Sequence, residues 1–434
     1  MSVAVVALGK IGLPLAVQIA SKGIEVIGVD ISQNVVDMVN AGTPPFPGEA
    51  DLDTKLNEAV DGGLLKATTD TAAAVSESGT VVVVVPLMTD AGGVPDFCAL
   101  DSATTEIARG LQPGTLVSYE TTLPVGTTRD RFQAMFEEKT SLRAGESFFL
   151  VHSPERVFSG RIFSDLRRYP KLVGGVDPAS ARRGVEFYER ILDFDDRPDL
   201  KRENGVWELA SAEAAEMAKL AETTYRDVNI ALANEFASYA ETAGIDVMEV
   251  IDASNSQPFS HIHRPGVAVG GHCIPVYPKF YLSGDPGAEL VETARRVNLA
   301  VPRRVVASVA ERLGGLEGEI VLVLGAAYRG GVKETAYSGV FDLIREIGKL
   351  GGRAVVSDPF YNADELSGLG LVSWQGEPVA AVIVQADHAE YQELGPEDFP
   401  GARVVYDGRR ILATERWADA GTDVVVIGQG VTAS

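Results

Sequence analysis

The chain has 434 residues, and 61 acidic against 38 basic side chains give it a formal net charge of −23 at pH 7. This length exceeds what a single hydrophobic core supports, so two or three domains are expected. The negative charge disfavours nucleic acid and anionic membranes as partners, and an anionic substrate needs a local group of basic side chains.

Only two cysteines occur, which is no disulfide framework and fits a reducing compartment. The first residues lack the basic segment and cleavage site of a signal peptide. The longest apolar run is far too short to span a bilayer. We therefore expect a soluble, cytoplasmic protein.

The first 30 residues predict a dinucleotide-binding unit. Residues 3–8 form a valine-rich run typical of a strand buried on both faces. A turn with Gly9 and Gly12 follows, then an apolar helical pattern and a second strand ending at Asp30. Such a turn lets backbone N–H groups face a pyrophosphate, and the acid binds a ribose and disfavours NADP. Ala7 stands where the motif has its first glycine, and a purely structural turn is the alternative.

Three further apolar runs, at residues 80–86, 116–120 and 147–151, continue the alternation of strands and helices. Polar loops follow each strand at its carboxyl end, where open parallel sheets bind ligands. Thr122 and Glu155 lie in these loops; the alternatives are a helix cap for Thr122 and a solvated acid for Glu155. The residues predicted to bind NAD are Gly9, Lys10, Ile11, Gly12, Asp30, Pro86 and Thr122.

Residues 213–240 predict one long helix, because they contain no glycine or proline and their apolar positions recur at spacings of three and four. Its length and wide apolar stripe are typical of a helix that joins domains or forms a dimer. Lys219 lies at the edge of the stripe, where it either extends to water or serves as the cation of a pocket.

Residues 266–278, with the sequence GVAVGGHCIPVYP, surround a single thiol, Cys273. Gly270 and Gly271 allow a ligand or another backbone to approach closely, and Pro275 and Pro278 stiffen the exit. This pattern suggests a positioned nucleophile; a small buried cysteine in a turn is the alternative. A second long helical stretch, residues 287–313, contains a possible kink at Pro302.

Five short strands are predicted in the last third, at residues 319–325, 354–358, 380–384, 404–407 and 424–428. Arg329, Lys333, Arg409 and Arg410 follow two of them and suit a phosphate-bearing ligand, although ordinary surface charge is the alternative. The sequence therefore predicts an α/β protein with two doubly wound Rossmann-like domains joined by a long central helix. The predicted boundaries are residues 1–204, 205–312 and 313–434.

Several motifs occur in a distinctive order: SPERV at 153–157, AEAAEMAK at 212–219, YRDVNI at 225–230, GGHCIP at 270–275 and DGRR at 407–410. With them the chain resembles the nucleotide-sugar 6-dehydrogenases, the NAD-dependent family of UDP-glucose, UDP-N-acetylmannosamine and GDP-mannose dehydrogenases. The resemblance extends over nearly the whole chain, and GGHCIP is similar to the signature of the N-acetyl-hexosamine branch.

The resemblance implies oxidation of the C6 hydroxyl of a nucleotide sugar to a carboxylate, and a homodimer formed through the central helix. It implies Cys273 as the nucleophile, Lys219 as the oxyanion stabiliser and Glu155 as the acid/base. Thr122 is implied as the residue that helps to place the catalytic water. The residues expected to contact the nucleotide sugar are Arg156, Lys219, His263, Arg264, Gly270, Gly271, Tyr277, Arg329, Arg409 and Arg410.

Some positions depart from the family pattern. Thr223 stands where the family has an asparagine, and Tyr277 stands where it has an aspartate. Glu334 and Ala336 replace an aspartate and an arginine of the family. The N-acetylmannosamine branch carries an arginine near the position of Phe259, and this chain lacks it. UDP-glucose or a UDP-N-acetylhexosamine is the expected substrate, and a dTDP-hexose of a specialised pathway is the first alternative. A two-electron alcohol dehydrogenase and a non-catalytic nucleotide-sugar-binding protein are the others. No histidine spacing with carboxylate partners predicts a metal site.

Overall fold

The computed structural model of the chain describes residues 2–90 and 93–430. The chain forms two compact units, residues 1–222 and 223–434. Each unit contains a largely parallel sheet with helices packed on it, which confirms the predicted α/β class with two Rossmann-like domains. The three predicted domain boundaries remain a prediction. Within the described ranges, no helix is both long and apolar enough to cross a membrane.

The sheet of the first unit has eight strands, and a small antiparallel hairpin lies apart from it. The strands are β1 (Ser2–Val6), β2 (Val26–Val29), β3 (Leu65–Thr68), β4 (Ser78–Val83), β5 (Met88–Thr89), β6 (Pro95–Asp96), β7 (Leu116–Tyr119), β8 (Phe149–His152), β9 (Lys171–Gly175) and β10 (Val206–Leu209). Six parallel strands follow the order β3-β2-β1-β4-β7-β8, the arrangement of dinucleotide-binding domains. Strand β9 runs antiparallel to β8, and β10 is parallel to β9.

The helices of the first unit cover both faces of this sheet. They are α1 (Gly12–Ala20), α2 (Gln33–Asn40), α3 (Leu52–Asp61), α4 (Thr71–Ser76), α5 (Cys98–Gly110), α6 (Ala134–Lys139), α7 (Ile162–Arg168) and α8 (Pro178–Ile191), with a π-helical segment at Thr127–Gln133. Side chains of Ser32, Asp70 and Asp177 cap α2, α4 and α8 by accepting backbone N–H groups. Strand β1 is buried, as its valine run predicts, and its Val3 and Val5 belong to one core cluster with residues of α1 and α8.

The predicted long helix is α9 (Ala212–Ala243), which is continuous over 32 residues. The division between the two compact units falls inside it. Gly244 follows its last residue with a φ of 73°, a left-handed conformation that ends helices and that glycine adopts without strain.

The sheet of the second unit is entirely parallel, in the order β12-β11-β13-β14-β15. Its strands are β11 (Ile320–Leu324), β12 (Arg353–Ser357), β13 (Ala381–Val384), β14 (Val404–Asp407) and β15 (Asp423–Val426). All five correspond to predicted strands. The helices are α10 (Val247–Asn255), α11 (Tyr277–Gly284), α12 (Glu289–Leu313), α13 (Gly339–Lys349), α14 (Ala363–Gly368) and α15 (Thr414–Asp419), with 3₁₀ turns at Ala389–Glu393 and Pro396–Asp398. Pro302 lies inside α12, which continues through it.

Candidate active site

The turn after β1 is built for close approach of a ligand to the backbone. Ala7 adopts a φ of 78°, the conformation that the first glycine of the motif would supply. A Cβ on Gly12 would overlap the carbonyl oxygen of Ala7, whereas a Cβ on Gly9 would meet open space. Helix α1 begins here without a side-chain cap. The N–H of Leu13 donates to the carbonyl of Gly9 at 3.1 Å and Pro14 has no N–H, so a phosphate would meet the turn backbone and the positive end of the helix dipole.

Asp30 follows β2 at the same edge of the sheet. Its two carboxylate oxygens accept the backbone N–H groups of Leu8, at 3.0 Å, and Ser32, at 2.9 Å. Each oxygen has a second lone pair, so the half-buried carboxylate can still accept from ribose hydroxyls. Pro86 is exposed after β4 and Thr122 is buried after β7. Together with the uncapped α1, these residues fit NAD.

Glu155 is held by two donors after β8. One carboxylate oxygen accepts the N–H of Arg156 at 2.7 Å, and the other lies 2.9 Å from the ammonium of Lys171. Lys171 also lies 2.7 Å from Glu120, which is fully buried. Burial favours the neutral form of Glu155, but Lys171 and the hydrogen bonds from Arg156 and Glu120 together lower the pKa of that carboxyl. Sequence reasoning missed both Lys171 and Glu120, because neither belongs to a recognisable motif.

Glu222 links two of the predicted substrate contacts. It accepts from the guanidinium of Arg156 at 2.8 Å and from the ammonium of Lys219 at 3.1 Å. Lys219 lies three residues earlier on α9, and its side chain is buried, which argues against the water-extended alternative. The first unit therefore brings Glu155, Arg156 and Lys219 into one hydrogen-bonded group around a residue that the sequence did not identify.

Glu216, also on α9, holds the loop that follows Thr122. Its carboxylate accepts the N–H of Gly126 at 2.6 Å, the N–H of Thr128 at 2.8 Å and the hydroxyl of Thr128 at 2.6 Å. Burial raises the pKa of Glu216 to about 7 although these bonds act in the opposite direction. Gly126 has a φ of 90°, so the turn depends on glycine.

In the second unit, the Cys273 loop lies against the segment that follows β11. The N–H of Gly271 donates to the carbonyl of Ala336 at 2.8 Å, and Gly271 has a φ of 93°. A Cβ on Gly270 would approach the Cβ of Tyr328 to 2.6 Å, so neither glycine position has room for a side chain. Cys273 itself is partly exposed. The glycines thus serve the close approach of another segment, as predicted.

Cys273 also begins the turn that leads into α11. Its carbonyl accepts the N–H groups of Val276, at 3.2 Å, and Tyr277, at 2.9 Å. Tyr277 is the first residue of α11, and its ring lies 5.6 Å from that of Phe280. His272 is exposed beside the thiol, with its Nε2 3.3 Å from Glu334.

Two asparagines of α9 fix the approach to this loop. Asn229 accepts the N–H of His263 at 2.8 Å and donates to the carbonyl of His261 at 2.9 Å. Asn234 accepts the N–H of Gly266 at 3.0 Å. Burial lowers the pKa of His263, and Arg264 is exposed. The sequence alone could not orient these asparagines.

The arginines after the strands of the second unit have different environments. Arg409 donates to the carbonyls of Gln385, at 2.5 Å, and Tyr328, at 3.3 Å. Arg410 donates to Ile427 and pairs with Asp246 at 2.6 Å, so its guanidinium joins β15 to α10. The guanidinium of Arg329 lies over the ring of Tyr328. Lys333 forms an ion pair with Glu365.

These features define a class: a two-unit nucleotide-binding protein with a dinucleotide turn and a separate thiol loop. Three models of the UDP-glucose/GDP-mannose dehydrogenase family match the chain: the NAD binding domain at residues 1–192, the central domain at 213–300 and the UDP binding domain at 322–414. The chain belongs to this family. It is an NAD-dependent nucleotide-sugar dehydrogenase, as the motifs predicted.

Two relatives illustrate the similarity. UDP-N-acetyl-D-mannosamine dehydrogenase of Pyrococcus horikoshii is 34% identical over 95% of this chain and 96% of that protein. NDP-N-acetyl-D-galactosaminuronic acid dehydrogenase of Ralstonia solanacearum is 32% identical over 96% of this chain and 97% of that protein. The solved structure of the Pyrococcus horikoshii enzyme matches with a TM-score of 0.89 at 32% identity over 100% of both chains. A Methanosarcina mazei NDP-N-acetyl-D-galactosaminuronic acid dehydrogenase gives 0.83 at 27% identity, over 99% of this chain and 95% of that one.

Proposed function

We propose that the protein oxidises the C6 hydroxyl of a nucleotide-diphosphate hexose to the uronic acid, with a UDP-N-acetylhexosamine ahead of UDP-glucose as substrate. The names of the relatives support the N-acetyl sugar, since they act on UDP-N-acetylmannosamine or on an NDP-N-acetyl-galactosamine derivative. The GGHCIP segment around Cys273 supports it independently.

The reaction requires two oxidations of the same carbon. When bound, NAD+ accepts the hydride that leaves C6 in each of them. Glu155, which Lys171 keeps ionised, accepts the hydroxyl proton in the first oxidation and leaves an aldehyde. The Cys273 thiolate adds to the aldehyde carbon to form a thiohemiacetal, whose oxidation gives a thioester. Water then attacks the thioester, releasing the carboxylate and the thiol.

Two further side chains have roles in this scheme. The buried ammonium of Lys219 donates to the oxygen that becomes negatively charged during thiol addition and hydrolysis. Glu222 fixes that ammonium from one side, and its bond to Arg156 orients the segment that carries Glu155. Thr122, buried after β7, helps to place the water.

The observation that carries the proposal is the setting of Cys273. A partly exposed thiol follows two glycines whose positions are fixed by Tyr328 and Ala336, and its own carbonyl anchors the next helix. Such a backbone holds the sulfur in one place, which a nucleophile needs and a structural cysteine does not.

The test is NADH formation with purified enzyme and a panel of sugars. UDP-N-acetylmannosamine, UDP-N-acetylglucosamine, UDP-N-acetylgalactosamine, UDP-glucose, dTDP-glucose and GDP-mannose are compared by kcat/KM. We expect a UDP-N-acetylhexosamine to give the highest value. A preference for dTDP-glucose would move the assignment to a dTDP-hexose dehydrogenase, and tight binding without turnover of any sugar would indicate a non-catalytic binding protein.

We also propose that two copies associate through the second half of α9. Four apolar side chains at helical spacing are exposed along one side of that helix: Tyr225, Leu232, Phe236 and Tyr239. Tyr239 is the most exposed of the four, at 72%. An apolar stripe of this length on a folded unit is typical of a protein interface, and a second copy buries it symmetrically.

A further inference from the structure

A buried ion cluster lies behind Glu155 in the first unit. The ammonium of Lys171, whose side chain is 4% exposed, bridges Glu120 at 2.7 Å and Glu155 at 2.9 Å. Lys171 is the first residue of β9, which runs antiparallel to β8. The reversal brings the amino end of β9 to the edge where β7 and β8 end, so a lysine there meets both loop carboxylates.

Every oxygen of the two carboxylates has a donor. Tyr188 donates its hydroxyl to the second oxygen of Glu120 at 2.6 Å, and Ser118 lies 2.7 Å from the same hydroxyl. The second oxygen of Glu155 accepts the N–H of Arg156. The N–H of Glu155 also donates to the carbonyl of Glu120 at 3.1 Å, which joins the two loops. The cluster is therefore rigid as well as buried.

The charges of this cluster do not cancel. Two carboxylates and one ammonium leave one net negative charge where little water reaches, and a single added proton would neutralise it. The other titratable groups around the cluster do not supply a compensating positive charge. Tyr188 is a neutral donor, and His152 is fully buried and neutral because burial lowers its pKa. Arg156 directs its guanidinium to Glu222.

We propose that Glu120 is a second proton acceptor behind Glu155 and that Lys171 positions the two carboxyl groups for proton exchange. This inference rests on the proposed function. In the first oxidation the O–H bond of the substrate hydroxyl breaks and an O–H bond forms on Glu155. The proton then passes to Glu120, so that the Glu155 O–H bond breaks, a Glu120 O–H bond forms and Lys171 keeps its charge. Glu155 is thereby ionised again and can hold the next proton that the reaction releases.

The electrostatics agree with this order of transfer. Burial raises the pKa of Glu120 to about 7, with Lys171 acting against it and Glu155 with it. For Glu155, burial raises the pKa, but the charge and hydrogen bond of Lys171, the N–H of Arg156 and a hydrogen bond with Glu120 together lower it below its usual value. A proton that arrives on Glu155 therefore moves downhill to Glu120. A sequence that needs one base to act more than once benefits from such a neighbour.

Two variants test the two roles separately through the pH profiles of the reaction. Lys171→Met removes the cation that stabilises ionised Glu155, so the acidic limb of the kcat/KM–pH profile moves to higher pH. Glu120 is already protonated at the pH where Glu155 titrates, so Glu120→Gln leaves that limb in place; it removes the second acceptor, so kcat falls and loses its dependence on pH near neutrality. Lys171→Arg keeps the cation and should leave the limb close to that of the wild type. Loss of packing alone would lower the rate in either variant without changing the shape of its pH profile.

Glu216→Gln is the matched control, because Glu216 is also a buried carboxyl with a pKa raised to about 7, but it is bound by Gly126 and Thr128 instead of Lys171. It should leave both the limb and the dependence of kcat on pH near neutrality as in the wild type. A Glu120→Gln variant that keeps the wild-type kcat and its dependence on pH would overturn the proposal, whether or not Lys171→Met folds.

An infrared pH titration without substrate separates this inference from the proposed function. The wild type should show the C=O band of a buried carboxyl that protonates near neutral pH, and Glu120→Gln should lose one such band that Glu216→Gln retains. A band unchanged in Glu120→Gln overturns the proton-acceptor role even when the wild type oxidises nucleotide sugars. Loss of the band in a protein that oxidises no sugar would instead contradict the proposed function.

Discussion

The carbonyl oxygen of Ala7 occupies the space in which a Cβ of Gly12 would lie. Ala7 reaches this position with a φ of 78°, which is unfavourable for alanine and costs about 1 kcal/mol relative to glycine. The turn thus keeps the shape of a dinucleotide-binding turn although its first glycine is missing. Close packing at Gly12, rather than the identity of residue 7, preserves it.

Ala7→Gly should therefore stabilise the protein by about 1 kcal/mol, because it relieves the left-handed strain at residue 7. Chemical denaturation measures the change, and the KM for NAD should stay as it is. Gly12→Ala is the paired change: its Cβ would displace the turn and raise that KM strongly. A stabilising Gly12→Ala, or a destabilising Ala7→Gly, would show that the turn has another geometry.

Lys219→Met should lower kcat/KM by about 10²–10³, equivalent to roughly 2.7–4 kcal/mol, the loss expected for one oxyanion donor. Glu222→Gln should cost less, because the amide oxygen still accepts from one of its two donors, Arg156 and Lys219. Steady-state kinetics with the best sugar of the panel compares them. Equal activity of Lys219→Met and the wild type would remove Lys219 from the mechanism.

His152 should make the protein sensitive to acid. Burial, assisted by Lys171, lowers its pKa from 6.5 to about 3. The unfolded chain binds a proton on this histidine below about pH 6.5, whereas the folded chain does not, so stability falls by roughly 1.4 kcal/mol per pH unit as the pH drops through that window.

His152→Leu removes this dependence. Neither ring nitrogen has a hydrogen-bond partner within residues 2–90 and 93–430, so the change breaks no such bond there. Urea unfolding at several pH values between 4 and 7 should give a flatter curve for the variant. His261→Leu, at an exposed position, serves as the control and should follow the wild type. A slope unaltered by His152→Leu would mean that His152 titrates normally in the fold.

The double change Phe236→Glu/Tyr239→Glu should dissociate the proposed dimer, because it places two charges on the exposed apolar stripe of α9. Light scattering should give twice the chain mass of 46.1 kDa for the wild type and the single-chain mass for the variant. Val372→Glu, at an exposed apolar position elsewhere, should remain a dimer. A monomeric wild type would refute the proposal.

Much of the architecture was predictable because parallel strands that are buried on both faces appear in the sequence as continuous apolar runs. The valine-rich runs of β1, β4 and β11 identify both sheets, and the unbroken helical pattern identifies α9. Strands β3, β9 and β10 were missed: β3 and β10 are short and half-exposed, and β9 is buried but has two glycines among its five residues. Asp30 was recognised from its position after β2.

For the candidate site, residues could be proposed from the sequence only where they belong to a motif. Cys273, Glu155 and Lys219 lie in such segments. Glu120 and Lys171 come from separate strands, and their pairing depends on the reversed direction of β9, which no local pattern reveals. For Arg410, position after a strand indicated a phosphate contact, but its guanidinium is engaged by Asp246, far away in sequence. The position of a residue after a predicted strand shows at which edge of the sheet it lies. It does not show which side chain or backbone group it contacts.

The most direct test of the proposed mechanism is the stoichiometry of NADH formed per sugar consumed to completion, in the wild type and in Cys273→Ala. We predict two NADH and one uronic acid per sugar for the wild type, and loss of the two-NADH conversion in Cys273→Ala. Cys98→Ala, which removes the other cysteine at an exposed position, should behave as the wild type. One NADH per sugar in the wild type, or two in Cys273→Ala, would contradict the account.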